Sequence, residues 1–217
     1  NHSYLVVDFS KFEDYKIKIE KHVKNNQVDI LINNTQGPPA GNSLSKNIDS
    51  YQEAFDLLFK SVVHTTSLVI PGMQKNKWGR IINVTSVSVK EPLNYLVLSN
   101  SIRSAVVAWA KSLSVDLGPH GITVNSILTG YFDTERINEL NKEKSKSLNI
   151  SETEVLEKMK SLVPASRLGR PEEYGYLISF LSSDNAAYIN GASIPIDGGL
   201  LKSCLLYTSP SPRDLRK

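Results

Sequence analysis

The chain has 217 residues, 40% of them hydrophobic, which suits one domain with a sizeable core. No apolar run approaches the roughly 18 residues of a membrane span, no basic patch followed by an apolar stretch is seen near the start, and the one cysteine, Cys204, excludes a disulfide framework and a cysteine-based metal site. The formal charge of +3 is mostly a property of residues 204–217, where Arg213, Arg216 and Lys217 outnumber Asp214; without them it falls to +1 and supports no nucleic-acid partner.

In chain order, Tyr4 to Asp8 is a short apolar run ending in an acid and reads as a buried strand. Lys11 to Lys24 reads as a helix, with Phe12, Tyr15, Ile19 and Val23 on one stripe. Val28 to Asn33 is a second buried strand; it lacks alternation, as a parallel strand covered on both faces must. Asn34 to Gly41 is a loop by its Gly and Pro content. Asp49 with Gln52 is expected to cap a long helix reaching about Met73.

Gly79 to Ser86 reads as a buried strand that stops at a hydroxyl pair. A long amphipathic helix follows from Ser99 to Leu117, then a strand over Gly121 to Ile127 that ends in the turn Leu128-Thr129-Gly130. Strand, helix and strand of this length make a parallel crossover unit. Ligands in open parallel sheets sit beyond the carboxyl ends of the strands, so Ser86 and Thr129-Gly130 mark the expected site. Thr134 to about Leu162 is polar and reads as two helices, the second opened by a capping box at Ser151–Glu154. Pro171-Glu172-Glu173 starts a helix to about Ser183, with proline in its first turn and acids at the positive end of the dipole. Ser193 to Ile196 is the last strand, closed by Asp197-Gly198-Gly199. Strands and helices alternate, so the fold class is α/β with a parallel sheet. Residues 204–217 resemble the translation of a sequencing-library adaptor, which implies a non-native tail and leaves 1–203 as the domain.

Four stretches together resemble the short-chain dehydrogenases/reductases, nearest to the 3-oxoacyl-acyl-carrier-protein reductase type. They are Asp29-Ile-Leu-Ile-Asn-Asn34, Gly79-Arg-Ile-Ile-Asn-Val-Thr-Ser86, Lys111-Ser-Leu-Ser with Gly121-Ile-Thr-Val-Asn125 and Gly130, and Arg167-Leu-Gly-Arg-Pro-Glu-Glu173 with Asp197-Gly-Gly199. The resemblance spans residues 4 to about 202. It implies a Rossmann-type doubly wound sheet, a nicotinamide cofactor (NADP or NAD), a small carbonyl or alcohol substrate, a cytoplasmic setting, and a homodimer or homotetramer paired through the helices matching Asp49–Met73 and Ser99–Leu117. Ile102, Val106, Trp109 and Leu113 form a helical stripe that fits either a partner or the sheet.

The family opens with a strand and a Gly-rich turn at a helix N-terminus, which binds the cofactor pyrophosphate. Nothing in this sequence matches that element, so the sheet is expected to be truncated, with strands 1 and 2 missing. In the family order 3-2-1-4-5-6-7, Tyr4 to Asp8 then has no neighbour and is expected to be poorly anchored or displaced. Val28 to Asn33 becomes an exposed sheet edge, and the 217-residue chain alone is not expected to bind a nicotinamide.

The resemblance places the family's substrate-orienting serine at Ser86, which is otherwise a hydroxyl capping a strand end. The remaining catalytic positions depart from the family. Its tyrosine, its lysine four residues later and its helical asparagine fall on Leu96, Asn100 and Leu58. Leucine cannot donate a proton, and asparagine has no charge with which to depress a phenol. Tyr95 is the neighbouring candidate acid, but five residues along a helix place it about 140° from Asn100, where a packing role fits equally. The stretch Leu-x-Leu-Ser-Asn-x-x-Arg, from Leu96 to Arg103, resembles a divergent branch of the family, in which such changes need not be decay. For the cofactor, the resemblance implies Asp8 beside the adenine, Asn34-Thr35-Gln36 on the ribose side, and Thr129, Gly130 and Thr134 near the nicotinamide. Read without it, these are ordinary loop residues. The four histidines show no ligand spacing, and no metal is expected. The functional expectation is a nicotinamide-dependent oxidoreductase; the alternative is a non-catalytic dinucleotide-binding homologue.

Overall fold

The computed structural model describes residues 2–203; Asn1 and the adaptor-like stretch 204–217 lie outside the described residues. Four parallel strands stand in the order β1 (Ile30–Asn33), β2 (Gly79–Ser86), β3 (Ile122–Thr129) and β4 (Ser193–Ile196). The register pairs Ser86 with Thr129, and Thr129 with Ile196. The hydroxyl-bearing ends of β2 and β3 therefore lie side by side at the carboxyl edge. The order is that of strands 4-5-6-7 in the family sheet, so the α/β Rossmann-type expectation stands.

β2 and β3 are buried along nearly their whole length. Helix α1 (Phe12–Asn25) and the long helix α2–α3 cover one side, with α4 (Val97–Leu117) crossing between β2 and β3. Val69, Met73, Ile81, Ala110, Leu117, Ile122 and Val124 form that core, with Trp109 and Leu113 packed against it. The α4 stripe thus faces inward, and Trp109 meets Phe59 edge-on. On the other side, α7 (Pro171–Leu181) packs Leu181 against Ile82 and Ile127. α5 (Glu135–Leu148) and α6 (Glu152–Leu162) pack on each other as the polar helix pair, and the capping box at Ser151–Glu154 is present.

Three local readings are corrected. Tyr4 to Asp8 forms no strand; Tyr4 is 92% and Val6 73% exposed. Leu5 and Val7 share a small pocket with Leu31–Asn33 of β1, but the segment joins no ladder among the described residues. Asp8 instead accepts from the Ser10 N–H and hydroxyl ahead of α1. The cap of the long helix is Asn47, whose side chain accepts from Ser50 N–H, so the helix begins at Ile48 rather than at an Asp49 cap. That helix is α2 (Ile48–Phe55) and α3 (Ser61–Asn76), joined through a π turn at Asp56–Lys60. Leu58, at the family's asparagine position, lies buried inside this widened turn. β1 is the open edge expected, with Ile30 and Ile32 each about two-fifths exposed. Among the described residues, no cluster of acids, histidines or cysteines could hold a metal, and no helix is long and apolar enough to cross a membrane.

Candidate active site

A cavity of about 660 Å³ opens where β1, β2 and β3 end. Its walls are the 34–38 loop, Val84 to Val87, the start of α4, the Thr129–Phe132 turn and the first turns of α5. Ser86 sits at the end of β2 in extended backbone, and its Oγ accepts the Ser88 N–H at 3.1 Å. That bond orients the oxygen and leaves the hydroxyl proton to donate into the cleft. At the end of β3, Thr129 Oγ1 shares a hydrogen bond with the Tyr174 hydroxyl at 2.9 Å. Gly130 passes so close to the chain after β4 that a Cβ there would lie 2.6 Å from Asp197 Cα. Only glycine lets the two strand ends converge.

The turn leading into α4 departs from the helical-wheel expectation. α4 begins at Val97, and Leu96 precedes it with φ −125° and ψ 38°. The angle of about 140° presumed a helix running back through residue 95, and none does. Tyr95 and Leu96 therefore both line the cavity. Burial, with Tyr131 beside it, raises the Tyr95 pKa above the ordinary phenol range, so the side chain is a protonated phenol at neutral pH. Burial pushes Tyr174 up to about 12 as well.

Asn100 does not line the cavity. Its Nδ2 donates to the Leu93 carbonyl at 2.8 Å and ties down the turn ahead of α4. Asp8, near the far edge of the sheet, does not line it either. The other candidates are brought together: Asn34, Thr35, Gln36, Ser86, Tyr95, Thr129, Gly130 and Thr134 share this cleft. Thr134 is the cap residue of α5 but makes no side-chain cap bond.

Sequence reasoning missed the charged floor. Arg103, on α4 and 9% exposed, lines the cavity. Its guanidinium donates to the Val84 carbonyl at 2.6 Å and the Thr35 carbonyl at 3.4 Å, bridging the ends of β2 and β1. Burial lowers its pKa to about 10, which still leaves it charged at pH 7. Arg136 reaches the same loop, donating to the Pro38 carbonyl at 2.9 Å while pairing with Glu139. Tyr131 and Tyr174 complete the missed wall. The available signal was a cation three residues after Asn100 on the sheet-facing side of an apolar helix.

The model of the family described as enoyl-(acyl carrier protein) reductase matches residues 1–201. A solved structure of a short chain dehydrogenase family protein from Francisella tularensis superposes with a TM-score of 0.83 at 25% identity, covering 91% of this chain and 81% of that one. The chain belongs to the short-chain dehydrogenase/reductase family. Within it, the chain is 32% identical to the NADPH-dependent reductase BacG of Bacillus subtilis, over 82% of this chain and 68% of that protein. It is also 32% identical to the 3-oxoacyl-[acyl-carrier-protein] reductase FabG of Haemophilus influenzae, over 92% and 78%. The structure of L-sorbose reductase from Gluconobacter frateurii complexed with NADPH and L-sorbose aligns with a TM-score of 0.84 at 26% identity, covering 91% of this chain and 76% of that one.

Proposed function

We propose that the protein is a nicotinamide-dependent carbonyl reductase of the short-chain type, NADP(H) being the favoured cofactor. The observation that carries this reading is the cleft itself: Ser86, the Thr129–Gly130 turn and the 34–36 loop converge at the carboxyl ends of three adjacent parallel strands. The donor set suits a dinucleotide, with the guanidinium floor, the Ser86 hydroxyl and a glycine-tight turn facing one space. Thr35 and Gln36 would border the ribose, and Thr129, Gly130 and Thr134 the nicotinamide. The bound reduced nicotinamide supplies a hydride.

The chain's own residues hold and polarise the carbonyl. Ser86 donates to the substrate oxygen; a single such donor is worth about 10²–10³ in rate. Leu93, Leu96, Ile137 and Met159 give an apolar wall that limits water. The family's general acid is lacking at position 96, which removes a contribution of about 10²–10⁴. Reduction should therefore run well below ordinary family rates. The specific observation favouring the alternative, a dinucleotide-binding protein without catalysis, is that Leu58, Leu96 and Asn100 together replace the usual acid and relay.

NADPH and NADH oxidation against 3-oxoacyl thioesters, ketones and quinones separates the two. The first reading predicts slow turnover with at least one class, reduced about 10²-fold or more in Ser86→Ala. Cofactor binding with no turnover on any class would establish the alternative. In the same reading the protein is a homodimer or homotetramer, so sedimentation at micromolar concentration should give a mass of at least two chains; a monomer would contradict the assembly.

A further inference from the structure

We propose that Arg103 supplies the fixed positive charge that position 100 lacks, gripping the cofactor's ribose hydroxyls and offsetting the charge that gathers on the substrate oxygen. This rests on the carbonyl-reductase reading of the same cleft.

Three observations carry it. The first is placement. Arg103 lies three residues beyond Asn100, about −60° around the α4 axis, so the two are neighbours on the helix; Arg103 lines the cavity, as does Leu96 in the non-helical step ahead of α4. Helical side chains lean toward the N-terminus, so a long side chain from 103 returns its guanidinium to about the level of Asn100. The second is what that guanidinium touches. It sits against the Val84 carbonyl, two residues before Ser86, and the Thr35 carbonyl on the loop after β1. Ser86 and the cation are thus set on one wall.

The third is its unfinished bonding. Of five guanidinium N–H groups, two are engaged, one by each carbonyl. Among the described residues no carboxylate pairs with it, whereas Arg136 pairs with Glu139. Tyr95, Tyr131, Tyr174, Arg136, Glu135 and Glu139 line the same cavity. A buried cation without a counter-ion is costly to hold. The other N–H groups of this cavity-lining side chain have no acceptor among the described residues and are left for a ligand's oxygen atoms when the cleft fills.

In the reaction the carbonyl carbon gains the hydride, the carbon–oxygen π pair moves onto oxygen, and that oxygen takes a proton from solvent water. Arg103 and Ser86 face the oxygen while it carries the charge. A guanidinium does not change state near neutrality, so kcat should be flat from about pH 6 to 9.

The test uses the full-length protein with Arg103→Met and Arg103→Lys. Arg103→Met should weaken NADPH binding in calorimetric titration by about tenfold or more and lower kcat about 10²–10³-fold. Arg103→Lys should keep both within about tenfold of the parent, because it restores the charge but not the fork that grips two carbonyls. If Arg103→Met does not fold, Arg103→Lys decides alone. Lysine binding NADPH as weakly as an unrelated cleft mutant would show a structural clamp and overturn the proposal. So would Arg103→Met that binds and turns over like the parent. A parent that binds NADPH but reduces nothing defeats the reductase reading. In that case the binding arm still decides Arg103.

Discussion

Replacing Leu96 with tyrosine is expected to raise carbonyl reduction by about 10²–10⁴, the value of a positioned general acid. Leu96 already lines the same cavity as Ser86, in the non-helical step ahead of α4. A phenol there can reach a carbonyl oxygen held by the Ser86 hydroxyl. Without a nearby cation a buried phenol there would stay firmly protonated and would be a reluctant donor. Arg103 supplies that cation, so Leu96→Tyr alone should bring most of the gain. Adding Asn100→Lys should contribute at most about tenfold more. It removes the Asn100–Leu93 bond, worth about 1 kcal/mol, and crowds a second cation beside the first. Steady-state NADPH oxidation by the parent, both single variants and the double variant checks the ranking. A folded double variant no faster than the parent would show that the cleft is not set for this chemistry. A parent already turning over at the ~10 s⁻¹ of an ordinary enzyme would mean that another group donates the proton.

Much of the fold was legible because parallel strands announce themselves. Gly79–Ser86 and Ser193–Ile196 are apolar runs bounded by turn residues, and both matched their observed ends. The Ser151–Glu154 box and Pro171 mark helix starts through chemistry local to a few residues, and they also held. Tyr4 to Asp8 misled because an apolar run becomes a strand only with a neighbour to bond, and the neighbour is not written in the run. The Asp49–Gln52 spacing pointed to a cap two residues late, because Asn47, with its side chain on Ser50 N–H, holds that place. In the site, the strand-end hydroxyls and Gly130 could be placed from the sheet rule alone. Asn100 could not, since its amide turns back to Leu93 instead of outward. Tyr95 was misjudged because the wheel assumed a helix that begins two residues later. Arg103 went unassigned because its role depends on carbonyls that the chain brings to it from 19 and 68 residues away.

Gly121→Val should cost about 2–6 kcal/mol, roughly 5–20 °C in melting temperature for a chain of this size, yet leave the cleft intact. Gly121 has φ +72°, a conformation that strains a β-branched residue by about 1–3 kcal/mol. A Cβ there would also run into the Lys77 carbonyl, which is backbone and cannot swing aside. Lys77 is itself left-handed, at φ 53°, so the chain enters both β2 and β3 through tight turns laid against each other. Arg80, 2% exposed, fastens the same corner by donating to the Gly79 and Gly121 carbonyls. Forcing the turns apart should therefore cost overpacking energy of about 1–3 kcal/mol on top of the strain. The corner is at the amino end of the strands, paired Gly79 to Ile122, while the cleft is at the Ser86–Thr129 end, about 23 Å away along the strands. Loss of stability and loss of function should separate. Thermal unfolding should show the drop, while NADPH affinity measured well below the transition stays within a few-fold of the parent. Gly72→Ala is the matched control: its Cβ meets nothing within 4 Å inside α3, so it should stabilise by up to about 1 kcal/mol. Equal melting temperatures for Gly121→Val and the parent would mean that the two turns yield freely, and that the entry to β2 and β3 is not where this sheet is held together.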